Sequence, residues 1–115
     1  MAFSQGAILA TLLEALRAQG DTRLFNPRFG IYVAGSPPGV QKPVSVEYPI
    51  ESSTKRLLVI GGRDPFFDGE ASLSSWAAAF TGQSELFFVP ELGHRMPSDP
   101  PGVERMMGFV RAHTS

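Results

Sequence analysis

The sequence contains no cysteine in its 115 residues. Disulfides and thiolate metal sites are therefore excluded, and on this count the redox compartment stays open. Histidine is scarce as well. The two present, His94 and His113, lie far apart and lack the spacing of a metal-binding helix, so no metal is expected. There is no excess of charge of one sign: ten Lys and Arg stand against eleven Asp and Glu, for a net charge of -1. Without a basic stripe, nucleic acid is not an expected partner. No apolar run reaches the roughly 18 residues of a membrane span, so no membrane partner is expected either. The first apolar stretch has no basic residues ahead of it and is soon interrupted by Glu14 and Arg17. A secretory signal is not expected, and a cytoplasmic location is. What is present is ordinary for a folded domain: 43% hydrophobic residues and the length of one domain.

The apolar spacing predicts the elements. Leu9, Leu12, Leu13 and Leu16 fall at i, i+3, i+4 and i+7, and Ala7, Ile8 and Ala10 widen the stripe. Residues 5–18 should form a helix covered on more than one side, stopped at Gly20. The polar stretch 21–28, with Pro27, reads as a loop. FGIYVAG, 29–35, is apolar throughout and reads as a buried strand of a parallel sheet. Residues 36–54 carry Pro37, Pro38, Pro43 and Pro49 and read as a long loop, of the kind that forms a lid or a site wall. A second strand follows at 57–60, closed by Gly61 and Gly62. Leu73, Trp76, Ala77 and Phe80 set a helix over 70–81. A third strand lies at 86–89, and Val103, Met106, Met107 and Val110 set a helix over 102–113. Strands alternating with helices predict an α/β fold with about three parallel strands, adjacent in chain order and flanked by helices.

Chemistry in such sheets gathers beyond the carboxyl ends of the strands. Three residues fall there. Ser4 sits in a small-x-Ser-x-Gly run directly before a helix, the pattern of a nucleophile elbow. Asp64 follows the second strand, and His94 follows the third. Their order, Ser then Asp then His, is that of an α/β hydrolase. A serine hydroxyl needs a base, a neutral imidazole can be that base, and a carboxylate orients the imidazole. The backbone N–H of Gln5 would be one oxyanion donor, and Gly6 would let helix and strand approach closely. Each residue also has a plainer reading: Ser4 as a helix N-cap, Asp64 as a turn former before Pro65, His94 as a surface-loop histidine. Asp68 is the rival carboxylate. His113, in a last helical turn, has no expected role in catalysis.

At these residues the chain resembles the fungal-type serine hydrolase family of the α/β hydrolase superfamily, which includes small thioesterases and esterases of polyketide biosynthesis. The matching stretches are AFSQGA at 2–7, IYVAGSPP at 31–38, LLVIGGRDPFF at 57–67 and ELGHRMP at 91–97. The resemblance implies Ser4 as nucleophile, Asp64 as acid and His94 as base. It implies hydrolysis of a small acyl ester or thioester, in a setting such as fungal secondary metabolism, without cofactor or metal. Ala2 stands where the elbow has its first glycine.

The resemblance also implies that residues 1–115 correspond to the family's second half, beginning at the elbow. On that reading the strand leading into Ser4 and a loop giving the second oxyanion donor would belong to a first half, and strand 29–35 would lack its inner neighbour. The exposed sheet edge would then invite self-association, and the isolated chain would hydrolyse activated esters poorly. A non-catalytic remnant or interaction module that keeps the half-fold is the alternative of a different class.

Overall fold

A computed structural model of the chain describes residues 1–20, 28–38, 46–82 and 84–114. The predicted loop around Pro27 and the part of the long loop around Pro43 lie outside the described residues. Four parallel strands form the main sheet: β1 (Ala2–Phe3), β2 (Phe29–Val33), β4 (Lys55–Gly61) and β6 (Ser84–Val89), in the order β1-β2-β4-β6. Three helices flank it: α1 (Gln5–Ala18), α2 (Gly69–Ala78) and α3 (Pro100–His113). The expected parallel α/β fold is thus present, with the predicted strands adjacent in chain order.

The sheet has one strand more than the sequence pattern suggested. Ala2 and Phe3 pair with Tyr32 and Val33, so β2 keeps a neighbour and Ser4 does leave a strand, short as it is. Two residues have no visible period, so pattern reading passes over them. A second miss has the same cause. Within the stretch read as loop, β3 (Ile50–Glu51) pairs in parallel with β5 (Phe80–Thr81), and α2 stops at Ala78 to allow it.

The pleat sorts the core into two layers. Tyr32, Leu58 and Ile60 face α1 and α2, where Trp76, Leu73 and Ala7 meet them. Ile31, Val33, Leu57 and Val59 face α3, against Met106 and Phe109. The leucine stripe of α1 is not its packing face. Ala7, Thr11, Glu14 and Ala15 are the buried residues, whereas Leu9 is 53% exposed and Leu13 is exposed too. Small side chains let α1 lie close to the sheet: a Cβ on Gly35 would meet the Ala7 methyl at 2.7 Å and the Trp76 ring at 3.0 Å.

Polar groups inside this layer are paired, as burial requires. The Trp76 indole N–H donates to Thr11 Oγ1 at 3.3 Å, and that hydroxyl donates to Ala7 O at 2.9 Å. Arg56 lies wholly buried. Its Nε donates to Glu14 Oε1 at 3.1 Å, its Nη1 donates to Ser84 Oγ at 3.0 Å, and its guanidinium covers the Phe80 ring at 3.9 Å. The Tyr32 hydroxyl donates to the other Glu14 oxygen at 2.8 Å. Burial, and then the Glu14 carboxylate beside it, push the Tyr32 phenol well above its usual range. Among the described residues no buried side-chain nitrogen or oxygen lacks a partner.

Candidate active site

The elements deliver Ser4, Asp64 and His94 to one edge of the sheet. Ser4 follows β1, and its N–H continues the pairing by donating to Val33 O at 2.8 Å. The chain then turns sharply into α1. That turn holds Ser4 at φ 58° and ψ -125°, in the positive-φ region that favours glycine. Such a residue costs on the order of 1–3 kcal/mol and persists only when both flanks hold it. Here the flanks are β1 and the first turn of α1. Ser4 occupies the N-cap position, yet its side chain makes no capping hydrogen bond. Its Oγ lies 2.8 Å from His94 Nε2 instead.

Asp64 leaves β4 through Gly61, Gly62 and Arg63. Its carboxylate is buried, with Oδ2 2.7 Å from His94 Nδ1 and Oδ1 accepting the Phe66 N–H at 3.0 Å. Both oxygens are engaged, so the plane of the carboxylate is set. The nearby carboxyl Asp68 is exposed at the start of α2, where its backbone N–H donates to Ser72 Oγ. Asp64 is the carboxylate on the imidazole. His113 stands apart from this group, on α3 between Glu85, Phe29 and Phe109.

Gly61, which ends β4, and Gly62 after it make the meeting of Asp64 and His94 possible. A Cβ on Gly61 would come within 2.7 Å of the Leu92 carbonyl carbon and 2.9 Å of its Cβ, and nearer still to its oxygen. A Cβ on Gly62 would meet Pro90 and the Phe88 ring within 3 Å. With bare glycines the loop after β6 folds back onto β4. Gly62 N–H donates to Val89 O at 2.8 Å, and Arg63 N–H to Leu92 O at 2.9 Å. His94 is thereby carried over Asp64. Gly6 does not have the role expected of it. Nothing lies within 4 Å of a Cβ placed there, because it lines a cavity rather than a helix–strand contact.

That cavity holds about 500 Å³ and opens beside Ser4 and His94. Phe3, Ile8, Ala34, Phe66 and Phe67 supply its apolar wall, and among the described residues no Lys, Arg, Asp or Glu side chain lines it. Gln5, at the head of α1, lines it as well. Its N–H is in the first turn of a helix, where amides have no intrahelical acceptor and carry the positive end of the dipole. Three aromatic rings close around the imidazole, from Phe3, Phe66 and Phe67. The sequence did contain a signal for them, since Phe3 precedes Ser4 and "DPFF" begins with Asp64. Among the described residues no group of three or more His, Asp or Glu side chains is placed to hold a metal ion, and no helix is long and apolar enough to cross a membrane.

The arrangement can move a proton from a hydroxyl to an imidazole that a buried carboxylate orients, beside an apolar cavity. No curated protein and no solved structure matches the chain significantly. A family model described as serine hydrolase (FSH1) matches residues 1–106, from ahead of the elbow into α3. The chain belongs to this serine hydrolase family.

Proposed function

We propose that the chain hydrolyses carboxylic ester or thioester bonds, with Ser4 as nucleophile, His94 as general base and acid, and Asp64 as the orienting carboxylate. The observation that carries this reading is the unbroken run Ser4 Oγ, His94 Nε2, His94 Nδ1, Asp64 Oδ2, with separations of 2.8 and 2.7 Å at the mouth of an apolar cavity. Asp64 accepts only, so it selects the tautomer with hydrogen on Nδ1 and leaves the Nε2 lone pair facing Ser4.

The steps follow from that tautomer. Ser4 Oγ gives its proton to Nε2 as it bonds to the acyl carbon. The carbonyl oxygen takes up charge beside the Gln5 N–H. The imidazolium, held by Asp64, passes its proton to the departing alcohol or thiol as the C–O or C–S bond breaks. Water then repeats the sequence on the acyl-serine, with His94 as its base, and frees the acid. The uncharged cavity wall suits an uncharged, apolar substrate. Service in fungal secondary metabolism as a thioesterase or esterase is the finer reading, and it rests on the "FSQGA" and "GHRMP" stretches.

The test is covalent labelling by a fluorophosphonate together with thioester turnover. The chain should be labelled once, and Ser4→Ala should abolish both labelling and turnover. Labelling that survives Ser4→Ala would remove Ser4 from its role. A chain that is neither labelled nor active would favour the non-catalytic alternative.

A further inference from the structure

Of the three rings around His94, two are also needed by the core. Phe3 packs with the layer under α3, and Phe67 with both layers. Phe66 belongs to neither and is 72% exposed. Its backbone does one structural task, the N–H bond to Asp64 Oδ1, which any residue but proline would supply. The side chain is left unexplained by folding. A lone exposed phenylalanine is unremarkable on a surface. This one stands edge-on to the imidazole, ring centroids 4.7 Å apart at 65°, and lines the cavity.

Its position relative to a substrate follows from the reaction proposed above, on which this inference rests. Nε2 must protonate the leaving atom, so that atom comes within about 2.6–3.2 Å of it. The acyl carbon is then on Ser4 Oγ, and the carbonyl oxygen is at the head of α1. Whatever is attached to the leaving atom extends past the imidazole, and of the three rings there Phe66 is the exposed one that neither core layer holds. Gly6 and Ile8, in the first turn of α1, line the cavity beside the oxyanion donor instead.

We propose that Phe66 is a specificity-determining residue for the leaving group. Its ring binds the alkyl or aryl substituent of the departing thiol or alcohol, so the enzyme prefers esters and thioesters whose leaving group is apolar and extended. Among the described residues the cavity lining holds Phe, Ile, Ala, Gly, Ser, Gln and His and no Lys, Arg, Asp or Glu, which fits an uncharged substituent.

The chain has no cysteine, so released thiol can be read directly with a disulfide reagent. Two series separate the subsites: S-ethyl to S-hexyl thioacetates, which lengthen the leaving group, and S-ethyl thioesters of acetate to hexanoate, which lengthen the acyl group. Within each series the leaving thiol's acidity hardly changes, so length is the variable. Four methylenes buried on every side would raise kcat/KM on the order of two-hundredfold. A ring that covers one side should give about tenfold, or ~1.4 kcal/mol. The hexyl-to-ethyl ratio of the thioacetates should fall to near unity in Phe66→Ala and be largely kept in Phe66→Leu. The slope of the acyl series should be unaltered. Protection of Ser4 from fluorophosphonate by ethanol through 1-hexanol gives the same comparison independently of turnover. A flat thioacetate series in the native chain, or equal loss of slope in both series, overturns the assignment while leaving the hydrolase reading intact. Absence of Ser4-dependent labelling and turnover removes both.

Discussion

Alanine at position 61 is the sharpest test of how the site is assembled. The added methyl would lie 2.7 Å from the Leu92 carbonyl carbon and closer to its oxygen. Carbon atoms in contact settle at about 3.5–4.0 Å, so the two backbones must part by roughly 1 Å. Both sides of that contact lead to members of the proposed triad. Leu92 O holds the N–H of Arg63, next to Asp64, and the same loop continues through Gly93 to His94. Gly61→Ala therefore pries the His94 imidazole from the Asp64 carboxylate, and a misplacement of 1 Å can cost about 100-fold in rate. Overpacking of this kind should also lower stability by about 1–3 kcal/mol. The control is Gly93→Ala, adjacent to His94, where nothing lies within 4 Å of the new Cβ. The rate of Ser4 labelling by a fluorophosphonate, measured well below each variant's urea midpoint, separates reactivity from unfolding. The reasoning fails if folded Gly61→Ala is labelled within about threefold of the native rate, a difference too small to register 1 Å of misplacement. It fails equally if Gly93→Ala is as slow.

Two further predictions concern the buried Glu14, Arg56 and Tyr32 group. Glu14→Gln keeps the shape but leaves the Arg56 cation buried without a counter-charge, which should cost about 3–5 kcal/mol in urea unfolding, whereas the triple change Glu14→Leu, Arg56→Met and Tyr32→Phe, which removes the whole hydrogen-bonded group, should come out near neutral. A single variant within about 1 kcal/mol of native would mean that the pair is hydrated in solution. For Tyr32 the folded state favours the protonated phenol, so its contribution is fully present below pH 10.0, the ordinary tyrosine value, and is lost as pH rises beyond it. Native protein should lose stability above that pH more steeply than Tyr32→Phe, and parallel curves would refute the linkage.

Much of this was legible in the sequence, for reasons that can be named. The strands of the main sheet from β2 on, and the three helices, carry long apolar patterns, and local pattern is what sequence reading detects. Ser4, Asp64 and His94 were readable because each closely follows a strand, and parallel strands place their carboxyl ends together. Packing face was another matter. In α1 the leucines suggested the buried side, but the sheet approaches so closely that Ala7, Thr11 and Ala15 fill it. Glu14 and Arg56 would be assigned to the surface by residue type alone, and only the fold shows that they neutralise each other. The two glycines of β4's exit read as a strand ending. Their use, admitting the His94 loop, depends on residues some thirty positions away.

The shortest strand sets the finest tolerance. Ala2 pairs with Tyr32 and Phe3 with Val33, so Ala2 packs into the layer under α1 while Phe3 reaches the layer under α3. A slip of one residue would exchange those faces and move Ser4 by about 3.3 Å along the sheet edge. That exceeds the whole 2.8 Å span from Oγ to the imidazole. Only one pairing of β1 with β2 puts the hydroxyl within reach of His94, and the neighbouring pairings leave it silent. Covalent labelling at Ser4 is in that sense a readout of strand alignment, with a resolution of a single residue.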